Sequence, residues 1–208
     1  MDKSNGQAER TAVSAPTREK LMTAAAELIA ELGWGRVTTR AVAERAGLPH
    51  GAVSYHFRGK QELLIEAAMF TFARAVPADE FAALAGVEDF IGLVSAEVAD
   101  RDAIDPVLSR LMFEAMREAE RDAVLRERMR AMLAQYRELM IATVRAGQER
   151  GTIVDGVPAD AIATLLGAIG DGLLLHVLLD PDLDVHPALD ALRALLAPRH
   201  GNHGAAGS

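Results

Sequence analysis

The chain has 208 residues and a formal net charge of −8, is half apolar and has no cysteine. That length suits one large domain or two small ones with a real core. Without cysteine there is no disulfide framework and no thiolate metal site, which fits a reducing cytoplasm. Residues 1–17, MDKSNGQAERTAVSAPT, lack the apolar centre of a secretory signal. The apolar stretch Leu173–Leu179 is too short to span a bilayer, so no membrane partner is expected. Abundant alanine and leucine, few aromatics and short β-branched runs predict an all-α protein.

In chain order, residues 1–16 read as a flexible tail and Thr17 as the N-cap of a first helix. Leu21, Ala24, Ala25, Leu28, Ile29 and Leu32 form its apolar stripe. Gly33 is expected to end it, with Trp34 plugging the loop. Thr38 caps a second helix behind the apolar Val37. Gly47 suits a tight turn at positive φ, Leu48 points inward, and Pro49 pre-sets a third helix closed by Phe57. Ala52 and Val53 face the core. Gly59 caps a fourth helix, with Glu62 placed to reach back to its N–H.

The body continues with a short helical piece at 79–85 and a helix over 88–101. The next runs over 106–118, capped by Asp105, and a long helix covers about 121–150. A nearly all-apolar helix spans 160–179, an amphipathic one 187–197, and residues 198–208 read as a disordered tail. This makes about nine to ten helices. The domain organisation expected is a tail at 1–16, a first domain at 17–62, a second helical domain at 63–197, and a tail at 198–208. A helix apolar on nearly every face must be covered on nearly every face, most simply by a second subunit. The candidate seam residues are Ile162, Leu165, Leu166, Ile169, Leu173, Leu189, Leu192 and Leu196.

Charge is unevenly shared. Residues 17–60 hold seven Lys/Arg against four Glu, a balance of +3; residues 1–16 balance at zero, so 61–208 carry −11. Phosphate binding needs local rather than global positive charge, and the acidic body would keep DNA at the head.

Residues 38–60, TTRAVAERAGLPHGAVSYHFRGK, outline a helix-turn-helix. With the leading helix and the Lys-x-Glu-Leu opening of the fourth, the run from Thr17 to Leu64 resembles the DNA-binding domain of TetR-family transcriptional regulators. The resemblance implies a homodimer with an N-terminal three-helix DNA-binding domain and a C-terminal helical domain that binds a small molecule and dimerises. It also implies that Lys60 contacts the DNA backbone and that Arg40 contacts phosphate or base. Pro49 and Ser54 depart from the residues common at those places in the family, so the contacts differ in detail.

Helix-turn-helix proteins read base edges from the start of the recognition helix and fix their position through phosphates. His50 is the candidate for base readout, and Gly51 and Ala52 permit close approach, the Ala52 methyl being able to touch a thymine methyl. Ser54, Tyr55 and His56 are placed as phosphate clamps, and Thr39 and Arg40 open the second helix where its dipole favours phosphate. His56 has an alternative as a core-edge residue, and Tyr55 as packing on the first helix. Arg45 and Arg58 read as solvated.

Pocket candidates are the large or soft side chains Met69, Phe72, Phe113, Met116, Tyr136 and Met140, with Arg110, Glu114, Gln135, Asp171 and His176 as polar anchors. The function expected is a repressor that binds a palindromic operator as a homodimer and is released by an apolar or mixed small molecule. The alternative is an activator or architectural DNA binder of the same fold without an effector. An enzyme is not expected: there is no His-Glu-x-x-His, phosphate loop or nucleophile elbow. His200 and His203 make a poor metal site in a tail, and no cofactor is expected.

Overall fold

The structure, a computed structural model, describes residues 5–99, 104–180 and 182–198. Among them are ten α-helices and one 3-10 turn, Trp34–Arg36. The helices are α1 (Asn5–Leu32), α2 (Thr39–Arg45), α3 (Gly51–His56), α4 (Lys60–Ala75) and α5 (Ala78–Ala82). They continue with α6 (Val87–Ala99), α7 (Pro106–Ala119), α8 (Ala123–Glu149), α9 (Ala159–Leu179) and α10 (His186–Leu196). The all-α expectation holds, with an N-terminal helix-turn-helix domain and a C-terminal helical domain.

Local chemistry explains most boundaries. Thr38 Oγ1 accepts the Ala41 N–H at 3.2 Å and caps α2. Gly33 ends α1 at φ 83°, its N–H donating to the Ile29 carbonyl, and Gly47 turns between α2 and α3 at φ 66°. Asp105 caps α7 through the Val107 N–H at 2.8 Å, with Pro106 at N1.

Three expectations need correction. Helix α1 begins at Asn5 and runs through Pro16, so Thr17 is interior and no cap; residues 5–15 are rich in good helix formers but carry no apolar stripe. Helix α3 spans Gly51–His56, one residue inside the expected 50–57 at each end, and the Pro49 carbonyl accepts the Ala52 N–H. The Glu62 carboxylate takes the Arg58 N–H at 2.6 Å, not that of Gly59. The end expected for α6 at 101 and most of the tail at 198–208 lie outside the described residues.

Contacts divide the chain into two compact units: Met1–Pro77 with Asp105–Met132, and Ala78–Ile104 with Leu133–Ser208. Helices α4 and α7 and the start of α8 pack with the head because their apolar faces close its core. That core joins Leu21, Ala25 and Ile29 of α1, Val42 of α2, Val53 of α3 and Leu63 and Leu64 of α4 to Leu111 of α7 and Leu125 of α8. The second unit is built on Ile91 and Val94 of α6, Ile141 and Val144 of α8, Ile162 and Leu166 of α9, and Leu189 of α10.

Candidate DNA-binding site

The recognition helix α3 is short and is held from below. Val53 and Phe57 are sunk into the core of the first unit, and Leu48 packs at its edge. What remains outward is the face a groove reader needs: His50, Gly51, Ser54 and Tyr55 are exposed, Tyr55 at 75 %. Tyr55 therefore stands clear of α1, against the packing alternative. Ala52 is half-buried against the core, which matches its core-facing assignment.

His56 is half-buried, its ring 4.9 Å from Tyr55 edge-on and 6.4 Å from Phe57. Burial first, then the Arg18 charge, lowers its pKa below the ordinary value, so the neutral ring is favoured. This is the arrangement of the core-edge alternative. Arg18 lies over the Phe57 ring at 5.0 Å and pairs with Glu66 of α4 at 2.9 Å. The same Glu66 carboxylate pairs with Arg128 of α8. Burial pushes the Glu66 carboxyl up, but the two arginines outweigh it and hold it below the ordinary carboxylate range.

On α2, Arg40 is exposed and Thr39 half-buried in the first turn. Lys60 opens α4, and its Nζ donates to the Gly35 carbonyl at 2.9 Å. Arg45 is not simply solvated: it pairs with Glu31 at 2.7 Å and Glu27 at 3.2 Å, which raises its pKa and takes it out of phosphate binding. Arg58 is exposed.

The eleven pocket candidates are not gathered into one unit. Met69, Phe72, Arg110, Phe113, Glu114 and Met116 belong to the first, and Gln135, Tyr136, Met140, Asp171 and His176 to the second. Phe72 and Met140 are buried in their respective cores. Glu114 is committed elsewhere, accepting the Trp34 N–H at 2.9 Å and pairing with Arg117 at 2.6 Å, so it is no free anchor. Phe113, Met116, Arg110, Gln135 and His176 are exposed in the single chain. Tyr136 packs edge-on to Phe81 at 5.3 Å, and burial raises its phenol pKa. Asp171 is exposed by area yet crowded enough by neighbouring atoms that burial raises its carboxyl.

The seam candidates also need correction. Ile162, Leu166, Leu189 and Leu192 are spent in the second unit's own core, and Ile169, Leu173 and Leu196 pack against it. Leu165, the eighth candidate, is exposed, so the candidates divide between the inner face and the outer one. The outward face of α9 is Ala161, Leu165, Ala168, Leu175 and Leu179, with Leu195 exposed on α10. By length and composition α9 as a whole could cross a membrane, which the shorter stretch 173–179 did not suggest. Among the described residues no cluster of His, Asp and Glu could hold a metal ion.

Sequence reasoning missed the polar ties behind the reading face: Arg18, Gln61, Glu66, Asp122 and Arg128. They join positions 48 to 62 residues apart, and nothing in the local pattern announces such pairs.

A recognition helix exposed on a closed helical core, with cations at the openings of α2 and α4, defines a helix-turn-helix regulator. Residues 21–67 match the family model of bacterial regulatory proteins of the tetR family, and residues 93–199 match that of the BetI-type transcriptional repressor C-terminal domain. The chain belongs to the TetR family of transcriptional regulators and is not an enzyme. It is 29 % identical over 166 residues to the HTH-type transcriptional repressor Rv1474c of Mycobacterium tuberculosis, covering 78 % of this chain and 83 % of that one. GusR of Salmonella enterica superposes with a TM-score of 0.71 at 21 % identity, over 87 % of this chain and 95 % of that one. A putative transcriptional regulator from Saccharomonospora viridis, in complex with choline, superposes at 0.66 with 24 % identity, over 86 % and 93 %.

Proposed function

We propose that the protein is a repressor that binds a near-palindromic operator as a homodimer and is released by a small molecule. The observation that carries the reading is the α3 surface, where His50, Ser54 and Tyr55 stand exposed above a buried Val53 and Phe57. His50 reads a base edge, while Ser54, Tyr55, Thr39, Arg40 and Lys60 hold phosphates. A dimer is supported by the outward face of α9, where Leu165, Leu175 and Leu179 recur at helical spacing on a helix with few charges. Two recognition helices then meet successive major grooves about 34–36 Å apart or somewhat more. DNA as the partner places the protein in the cytoplasm.

An effector is supported by the choline in the Saccharomonospora relative. The acidic balance of residues 61–208 favours a neutral or cationic ligand over an anionic one. Such a ligand acts by preferring the DNA-incompetent state, with a coupling of roughly 1–3 kcal/mol. The test is selection of duplexes from a random pool by the full-length protein, followed by a compound screen for release. The reading expects a palindromic consensus and at least one releasing compound. Enrichment of single half-sites, or of no duplex, would refute it.

A further inference from the structure

Trp34, the sole tryptophan, is 2 % exposed and is tied on several sides by polar groups that a simple plug does not need. Its backbone N–H donates to Glu114 Oε2 of α7 at 2.9 Å. Its indole Nε1–H donates to Gln61 Oε1 of α4 at 3.3 Å. The Gln61 Nε2 donates in turn to Asp122 Oδ2 at 2.7 Å and, more weakly, to Glu118 Oε1 at 3.5 Å. Asp122 uses its other oxygen to cap α8, accepting the Leu125 N–H at 2.9 Å. One residue beyond Trp34, the Gly35 carbonyl accepts Lys60 Nζ at 2.9 Å. All of these groups lie in the first unit.

The orientation of the Gln61 amide is forced, because an indole N–H only donates and a carboxylate only accepts. Reversing either partner breaks the series. The turn at 34–36 therefore joins two things that no local sequence pattern connects. On one side is the corner where α7 ends and α8 begins; on the other is the lysine that opens α4.

We propose that the Trp34 turn is a relay: through Gln61 and Glu114 the α7–α8 corner sets where the Gly35 carbonyl, and so Lys60, stands. Gln61 and Asp122 are then positioning residues for DNA binding although neither touches DNA. The proposal rests on the reading of Lys60 as a backbone contact. It gives a reason why Asp105–Met132 packs with the head rather than with the rest of the body.

The test is a donor–acceptor swap in the full-length protein carrying Glu118→Gln, which removes the second carboxylate beside Gln61 and serves as the reference, using a duplex selected by the wild type. Asp122→Asn can keep an oxygen on the α8 cap while turning an amide N–H toward that of Gln61. Gln61→Glu sets carboxylate against carboxylate. The two together restore both bonds with the polarity between them reversed. Each single change should weaken DNA binding about three- to tenfold, the net worth of one hydrogen bond, and shift the Trp34 indole N–H resonance. The double variant should return to within about twofold of that reference. On a Lys60→Ala background the single changes should lose their effect on binding.

Equal losses with and without Lys60 would overturn the relay, as would a folded double variant no better than the singles. Unchanged DNA binding with a shifted indole resonance would overturn it too. A selection that enriches no duplex overturns the DNA reading itself and the relay with it. That failure is recognisable apart from the others, because the indole resonance still reports the swap.

Discussion

Replacing Leu165 and Leu175 by alanine tests the assignment of α9 as the seam between two copies. In the single chain these leucines are 60 % and 43 % exposed on one face of the helix. A fully buried leucine contributes about 1.5–3 kcal/mol, so covering the exposed parts contributes roughly 1.5–3 kcal/mol per subunit for the pair, and twice that for a symmetric dimer. Alanine keeps its Cβ, which leaves a loss of about 2–4 kcal/mol, or about thirty- to seven-hundredfold in the dimer dissociation constant. Sedimentation equilibrium over a concentration series reads that constant directly, and circular dichroism checks that the helices remain. The inner residues provide the contrast. Leu166→Ala should unfold the subunit before it splits the dimer, since Leu166 is 1 % exposed in its own core. A folded double variant whose dimer constant moves less than tenfold would refute the seam.

Lys60→Ala should weaken binding to every duplex alike and lower the salt slope by about one, whereas His50→Ala should change base preference; filter binding over a salt series separates them. Gly47→Ala should destabilise by about 1 kcal/mol in urea melts, because φ of 66° strains any Cβ although the space beside it is open. The pKa of His56 is lowered in the fold, so the unfolded chain takes up the proton first as pH falls. Stability should decline below the ordinary value of 6.5 and level off once the folded ring has titrated. His56→Gln should flatten that segment of the stability–pH curve while leaving the region above pH 7 unchanged.

The head was legible because its signals are local. Thr38, Gly33, Gly47 and Asp105 each act within four residues of themselves, and each does in the structure what its type and place predict. Gly59 caps the fourth helix as expected, and where the reach-back of Glu62 failed the cause is geometric. Gly59 is fully extended, at φ 173° and ψ −178°, and the Glu62 carboxylate takes the amide one residue earlier. Helix α9 shows the limit of periodicity. A helix apolar on nearly every side offers two faces of equal hydrophobic merit, and only the packing of α6 and α10 decides which is inner. The pocket was least legible. Large side chains mark a cavity only when several elements converge, and Phe72, Met140 and Glu114 were each claimed by a core or a hydrogen bond that spacing does not reveal.

The outward face of α9 also bears on dosage. In the proposed homodimer, a chain that needs a second copy to cover Leu165, Leu175 and Leu179 would have its folding stability linked to its own abundance. At levels below the dimer dissociation constant, the number of assembled readers rises with the square of the number of chains. Occupancy of an operator would then respond to synthesis more steeply than in proportion. A twofold drop in expression would release the target genes of the proposed repressor further than the loss of protein alone accounts for.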